Sequence, residues 1–235
     1  MLSFEKLHKS FGKLHVLQGL DLEISEGGVF AILGPNGSGK TTLIKSVLGM
    51  VIPTSGKILL DGENVIGKWE YRENISYLPQ IANFPANMSV KELIESVKGL
   101  RQKKSNEHDL IALFELEPFL DKKLSNLSGG TKQKVNIVLT FMFECPLIIL
   151  DEPTTGLDPL SLVKLKRIIA DAKDAGKTIL VTTHIMSLVE EIADEIVFLL
   201  DGVIYFQGSL AEIEEQTEQS SLELAIASIL EKEKA

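Results

Sequence analysis

Apolar and polar residues alternate at Leu2 and Phe4 and again through Leu20, Leu22 and Ile24, the two-residue period of half-buried strands, which predicts an antiparallel sheet near the start. Val29 to Leu33 is instead a continuous apolar run that stops at Gly34. From Lys40 to Met50, the residues Leu43, Val47 and Leu48 fall on one helical face. Strand, glycine loop and helix therefore follow one another. Gly56 to Leu60, ahead of Asp61-Gly62, reads as a strand entering a tight turn, and Ile75 to Leu78 as a short strand before Pro79.

Between Ile81 and Leu127 strand signals give way to helical ones, beginning with Ser89-x-x-Glu92, a capping box that opens a helix running to about Leu100. This stretch reads as an inserted helical lobe. Beyond it, Leu147 to Leu150, Thr178 to Thr183 and Glu195 to Leu200 are apolar strands separated by helical segments, the rhythm of a parallel sheet, with Gly176 fitting a helix stop. Ser220-x-x-Glu223 predicts a second capping box, and Leu222, Ile226 and Ile229, with Leu230, lie at helical spacing on a face read as buried against the chain's own core, the alternative being a dimerisation or regulatory helix. The expected organisation is an α/β domain over 1–235, with 1–80 the β lobe and first part of the core. Residues 81–130 form the helical lobe, 131–208 the rest of the core and 209–235 a helical tail.

Composition narrows the function. A net charge of −9 and a pI near 5.1, with no cluster of Lys and Arg, exclude a nucleic-acid partner held through its phosphates. Cys145 alone permits no internal disulfide and reads as a buried thiol in a reducing compartment. No basic and apolar leader and no apolar run of about 20 residues is visible, so the cytoplasm is the expected location and another chain is expected to do any membrane spanning.

Gly34-Pro35-Asn36-Gly37-Ser38-Gly39-Lys40-Thr41 matches G-x-x-x-x-G-K-[ST] between an apolar strand and a helix, the context that motif requires. Successive backbone N–H groups form an anion nest there. Lys40 reaches the outer phosphates and the Thr41 hydroxyl is placed to hold Mg²⁺. This loop alone does not separate kinases, GTPases and transport ATPases.

The buried strand Leu147 to Leu150 ends in Asp151-Glu152, at the sheet edge where ligands bind in open α/β folds. Asp151 is expected on Mg²⁺ and Glu152 on the water that attacks the γ-phosphate. His184 follows the strand Thr178 to Thr183 and is expected at the same edge, facing the γ-phosphate or Glu152, whereas His8, His15 and His108 read as structural. Leu127-Ser128-Gly129-Gly130 precedes a helix predicted from about Thr131 to Phe143, giving a second phosphate-facing helix start. If both surfaces cannot reach one nucleotide within a monomer, a head-to-tail pair satisfies both.

This set, in this order over nearly the whole chain, resembles the ATP-binding proteins of ABC transporters. The resemblance implies a P-loop NTPase (RecA-like) core with an N-terminal antiparallel β lobe and an inserted helical lobe. It implies ATP and Mg²⁺ as ligands, with Asn36 to Thr42 on the phosphates and Phe11 stacked on adenine. Gln80 is implied to sense Mg²⁺ and the membrane partner, joining Thr41 and Asp151 as metal residues. Glu152, His184 and Lys40 are the implied catalytic residues, and Ser128, Gly129, Gly130 and Asp158 the implied contacts to a dimer partner's ATP. One departure stands out: Thr131 follows Gly130 where the family usually has Gln.

The resemblance further implies a homodimer, or a pair with a related ATPase, lying on the inner face of the cell membrane against a separate multispanning subunit. The single motor, short helical lobe and extended tail look like export-type members that pair with ABC-2-like membrane subunits. The tract from Tyr77 to Asn87 is similar to ATPases of copper-processing systems that mature nitrous oxide reductase. Two other readings are a soluble ABC-class ATPase, whose members carry two motors or a long coiled coil absent here, and a non-hydrolysing nucleotide-gated module.

Overall fold

In a computed structural model, residues 2–232 are described and fall into two compact units, 2–71 with 180–232, and 72–179. The first unit carries the expected antiparallel sheet. Strands β1 (Leu2–Phe11), β2 (Leu14–Ile24), β4 (Ser55–Leu60) and β5 (Glu63–Asn64) lie in the order β2-β1-β4-β5. Leu2, Phe4, Leu20, Leu22 and Ile24 are all buried, as their alternation predicts. Strand β3 (Gly28–Leu33) pairs in parallel with β9 (Glu195–Leu200), which pairs antiparallel with β10 (Val203–Gly208). Helix α1 (Lys40–Val47) follows the glycine loop and stops three residues before the expected Met50.

The tail belongs to this unit. Leu222, Ala225 and Ile226 of α8 (Leu222–Lys232) and Ile213 of α7 (Leu210–Thr217) join a buried cluster with Ala31, Phe198 and Phe206. Burying each large apolar side chain there contributes about 1.5–3 kcal/mol, which fixes the tail without a partner. The capping box expected at Ser220 does not form. Helix α8 starts at Leu222, and Ser221, one residue later, accepts the Leu224 N–H at 3.4 Å. The second box lies at Ser209-x-x-Glu212 instead, opening α7, with both reciprocal hydrogen bonds present. The end of the tail, from 233, lies outside the described residues.

In the second unit, β6 (Ile75–Leu78) pairs in parallel with β7 (Leu147–Asp151). Between them in sequence lie α2 (Val90–Arg101), opened by the predicted box at Ser89, α3 (Glu107–Leu113), and α4 (Gly129–Phe141). Helix α4 begins two residues before the expected Thr131 and ends two before Phe143. A long helix α5 (Pro159–Asp174) follows, with Pro159 at its first turn and Gly176 in the left-handed region just past its end. Strand β8 (Thr178–Thr182) runs from the second unit into the first and is followed by the short helix α6 (Met186–Ile192). Among the described residues no helix is long and apolar enough to cross a membrane.

Candidate functional site

The glycine loop of the first unit is held by backbone that only glycine permits. At Gly34, with φ 152°, a Cβ would overlap the carbonyl oxygen of Leu199 and lie 2.7 Å from Ser38 Oγ. Ser38 N–H donates to Pro35 O at 3.2 Å, and Gly202 N–H, from the turn after β9, donates to Ser38 O at 3.1 Å. Gln18 secures that turn in its own right, N–H to Gly202 O at 3.0 Å and Nε2 to Asp201 O at 2.7 Å. Helix α1 starts at Lys40 from a left-handed Gly39 with no side-chain cap, and a helix start of this kind favours an anion. The Lys40 ammonium curls over the loop, donating to Gly34 O at 2.6 Å and Pro35 O at 3.1 Å.

Ser38 is 1% exposed and its hydroxyl has no hydrogen-bond partner among the described residues. A buried hydroxyl left unsatisfied costs about 1–3 kcal/mol, so the loop fits an oxygen-rich anion that would supply the missing partner. Asn36, Gly37 and Thr41 are exposed, and Thr42 is half-buried. Phe11, at the end of β1, is 49% exposed, with the Lys9 ammonium 4.6 Å from its ring centre. Lys9 also donates to Ile52 O at 2.8 Å, so the cation is fixed against the ring. His184 is exposed just after β8.

The acidic strand end lies in the second unit. Asp151 and Glu152 are 4% and 8% exposed, and Glu152 sits at φ 48°. That left-handed backbone costs a non-glycine residue about 1–3 kcal/mol, a strain characteristic of functional positions. The Tyr77 phenol hydrogen-bonds to Asp151, and burial, aided by the carboxylate's charge and that bond, pushes its pKa up to about 12. Gln80 is exposed two residues beyond β6. Among the described residues no group of three or more His, Cys, Asp or Glu is arranged to hold a metal. Within the second unit, the Gln80 amide and the Asp151 carboxylate are oxygen donors of the kind Mg²⁺ takes, since it usually binds one or two carboxylates beside substrate phosphates.

The Ser-Gly-Gly segment is organised by the same unit. Ser128 caps α4, its Oγ accepting the Thr131 N–H at 3.2 Å, and the two hydroxyls lie 2.8 Å apart. Thr131, the departure from the family pattern, thus engages the serine directly. A Cβ on Gly130 would come within 2.7 Å of Gly156 O, so a side chain there would drive the signature segment off the loop that leads to Asp158. Asp158 caps α5 through the Ser161 N–H at 2.8 Å and pairs with Lys134 at 3.0 Å. The Ser161 N–H first, then Lys134 and the Ser161 hydroxyl, hold its carboxyl below the usual range.

A buried polar stripe runs along α4. Gln133 Nε2 donates to Pro153 O at 2.9 Å, Asn136 Nδ2 to Pro79 O at 3.1 Å, and Thr140 Oγ1 to Asn136 O at 2.8 Å.

The structure therefore places Phe11, Asn36 to Thr42 and His184 in the first unit. Gln80, Ser128 to Gly130, Asp151, Glu152 and Asp158 lie in the second. Sequence reasoning missed the residues that hold these in place, namely Lys9, Tyr77, Gln133, Asn136 and Lys134. The stripe at 133, 136 and 140 was visible as helical spacing, but only the fold shows that it points inward.

An α/β fold with a phosphate loop leading into a helix defines a P-loop nucleoside triphosphatase. Residues 17–155 match the ABC transporter family, and the chain belongs to it as an ATP-binding, ATP-hydrolysing subunit of a transporter. It is 34% identical over 213 residues to the lantibiotic transport ATP-binding protein SrtF of Streptococcus pyogenes, covering 88% of this chain and 90% of that one. It is 32% identical over 227 residues to the L-cystine import ATP-binding protein TcyC of Bacillus subtilis, covering 91% of this chain and 92% of that one. Among solved structures, an ATP-binding subunit of an ABC transporter superposes with a TM-score of 0.91 at 30% identity, covering 98% of this chain and 99% of that one. The dimeric bacterial ABC transporter cassette MJ0796 gives 0.79 at 25% identity, covering 89% and 99%.

Proposed function

We propose that two copies of this chain, or one copy and a related ATPase, close head to tail around two ATP molecules. The pair works on the inner face of the cell membrane beneath a separate multispanning subunit, and transport runs outward. The observation that carries this reading is that one chain has a single phosphate loop but a second phosphate-facing helix start at Ser128, which a partner's nucleotide would occupy. The dimeric cassette to which the chain is similar supports the arrangement. Direction rests on the resemblance to export-type members, since the relatives include both a lantibiotic transporter and a cystine importer.

In this mechanism the N–H groups from Asn36 to Thr42, the Ser38 hydroxyl and Lys40 hold the phosphates, and Phe11 stacks on adenine. Thr41, Gln80 and Asp151 would hold Mg²⁺, which when bound neutralises charge on the phosphate oxygens. Glu152 orients and polarises the attacking water, and His184 holds the γ-phosphate side of the site. Ser128, Gly129, Gly130 and Asp158 close over the partner's ATP, so binding energy is converted into closure and transmitted to the membrane subunit.

Glu152→Gln tests the chemistry. It is expected to bind ATP, lose phosphate release and accumulate dimer by light scattering, because the sandwich persists without an activated water. Undiminished turnover removes Glu152 from the mechanism. The membrane assignment is tested by capturing the chain from mildly solubilised membranes and identifying what co-purifies in proportion. A multispanning protein supports it and shows whether the system exports, imports or serves copper processing, whereas solely soluble partners withdraw it.

A further inference from the structure

The polar stripe of α4 is placed oddly for a purely structural feature. Gln133, Asn136 and Thr140 are 3%, 4% and 3% exposed along one side of a helix that also buries Val135, Ile137 and Val138. Burying an amide side chain is costly unless it is bonded, and the acceptors here are the carbonyls of two prolines. Pro153 directly follows Glu152 and Pro79 directly precedes Gln80. Thr140 buttresses the stripe, donating to the Asn136 carbonyl at 2.8 Å and lying 3.4 Å from Tyr77 O. The helix that hangs on to both loops is the one capped by Ser128.

We propose that Asn136 is a positioning residue that ties the Gln80 segment to the signature helix, so that a displacement at either is delivered to the other. The proposal rests on the reading of Gln80 as facing the membrane subunit and of Ser128 to Gly130 as facing a partner's nucleotide. The Asn136 side chain reaches the loop through one donor to one carbonyl, while Thr140 meets β6 two residues earlier at Tyr77 O, so the Asn136 contact can be cut without touching either motif. Gln133 makes the equivalent tie to the Glu152 side and serves as the control.

The test is hydrogen exchange on the full chain carrying Glu152→Gln and Gln80→Ala. Turnover is then blocked, and no effect of ATP on residues 81–84 can come from the Gln80 side chain. ATP is expected to slow exchange both at 129–131 and at 81–84. Adding Asn136→Leu is expected to abolish the slowing at 81–84 and leave it at 129–131. Without ATP, the same change speeds exchange at 81–84 by about five- to tenfold, the consequence of losing one hydrogen bond to a part-buried carbonyl, and leaves 154–156 as they were. Asn136→Ala repeats the test if Leu overpacks, and Gln133→Leu should reverse the pattern, loosening 154–156 alone.

Protection at 81–84 that survives both Asn136 variants overturns the inference. So does a parent chain in which ATP protects 129–131 but never 81–84, since nothing is then transmitted. Equal loosening of both loops by Asn136→Leu overturns it too, by showing general destabilisation. If ATP fails to protect 129–131 in the parent chain, the reading of the signature segment is what fails, independently of Asn136.

Discussion

Replacing Glu107 by Gln tests whether a buried ion pair, rather than packing alone, holds the helical lobe together. Glu107 is 3% exposed at the start of α3. Its carboxylate accepts from Lys98 of α2 at 2.6 Å and from the Ser105 hydroxyl at 2.5 Å. Burial alone would raise its pKa. The hydrogen bonds from Lys98, Ser105 and its own N–H, together with the Lys98 charge, outweigh burial and lower it from 4.5 to about 2. A folded-state value below the unfolded one contributes stability that is fully present above pH 4.5 and is lost as pH falls through 2.

The difference corresponds to about 3 kcal/mol at most near neutrality, and about 2 kcal/mol once screening is allowed for, because the Lys98 side chain is 29% exposed. By pH 3 more than half has gone, leaving about 1 kcal/mol. Glu107→Gln is therefore expected to lower the melting temperature by about 5 °C at pH 7, and by about half that or less at pH 3. Thermal unfolding followed by circular dichroism at both pH values reads the gap between variant and wild type. A gap that is the same size at pH 3 and pH 7 refutes the reasoning, because an uncharged packing defect has no reason to vanish with acid.

Further outcomes follow from other contacts. Gly34→Ala forces a methyl into the Leu199 carbonyl, and ATP affinity measured with a fluorescent analogue should fall by about tenfold or more at the strain typical of such positions. Lys9→Met removes the cation from the Phe11 ring and should weaken adenine nucleotides by about two- to fivefold. Inorganic tripolyphosphate, which has no base to stack, should bind as before; an equal loss for both ligands would place Lys9 on the phosphates instead.

The parts legible in the sequence were those that local chemistry alone specifies. The glycine loop, the run from Leu147 to Asp151 and the box at Ser89 each state their geometry within a few residues. Ser209-x-x-Glu212 carried the same kind of signal, but the strand before it, Val203–Gly208, is partly exposed and alternates weakly, so the helix start had no frame. At Ser220 the pattern fitted, but burying Leu222 in the core begins the helix one residue later than the box requires. The strained backbone at Glu152 has no local signature, since glutamate is not a residue that favours φ 48°. Lys134 and Asp158 lie 24 residues apart, and their ion pair exists only because α4 and the segment before α5 meet in the fold.

The attachment of the phosphate loop to the turn after β9 sets a limit on dissection of this protein. The segment that matches the family ends at residue 155, and it contains every letter of the phosphate-binding motif. The carbonyl against which Gly34 is moulded belongs to Leu199, and the N–H that grips Ser38 belongs to Gly202. A fragment cut at 155 would keep the motif as text and lose the mould that shapes it. A split version of the chain should recover nucleotide binding only when the piece carrying 195–208 is supplied, which makes that hairpin a practical handle for switching the ATPase on by complementation.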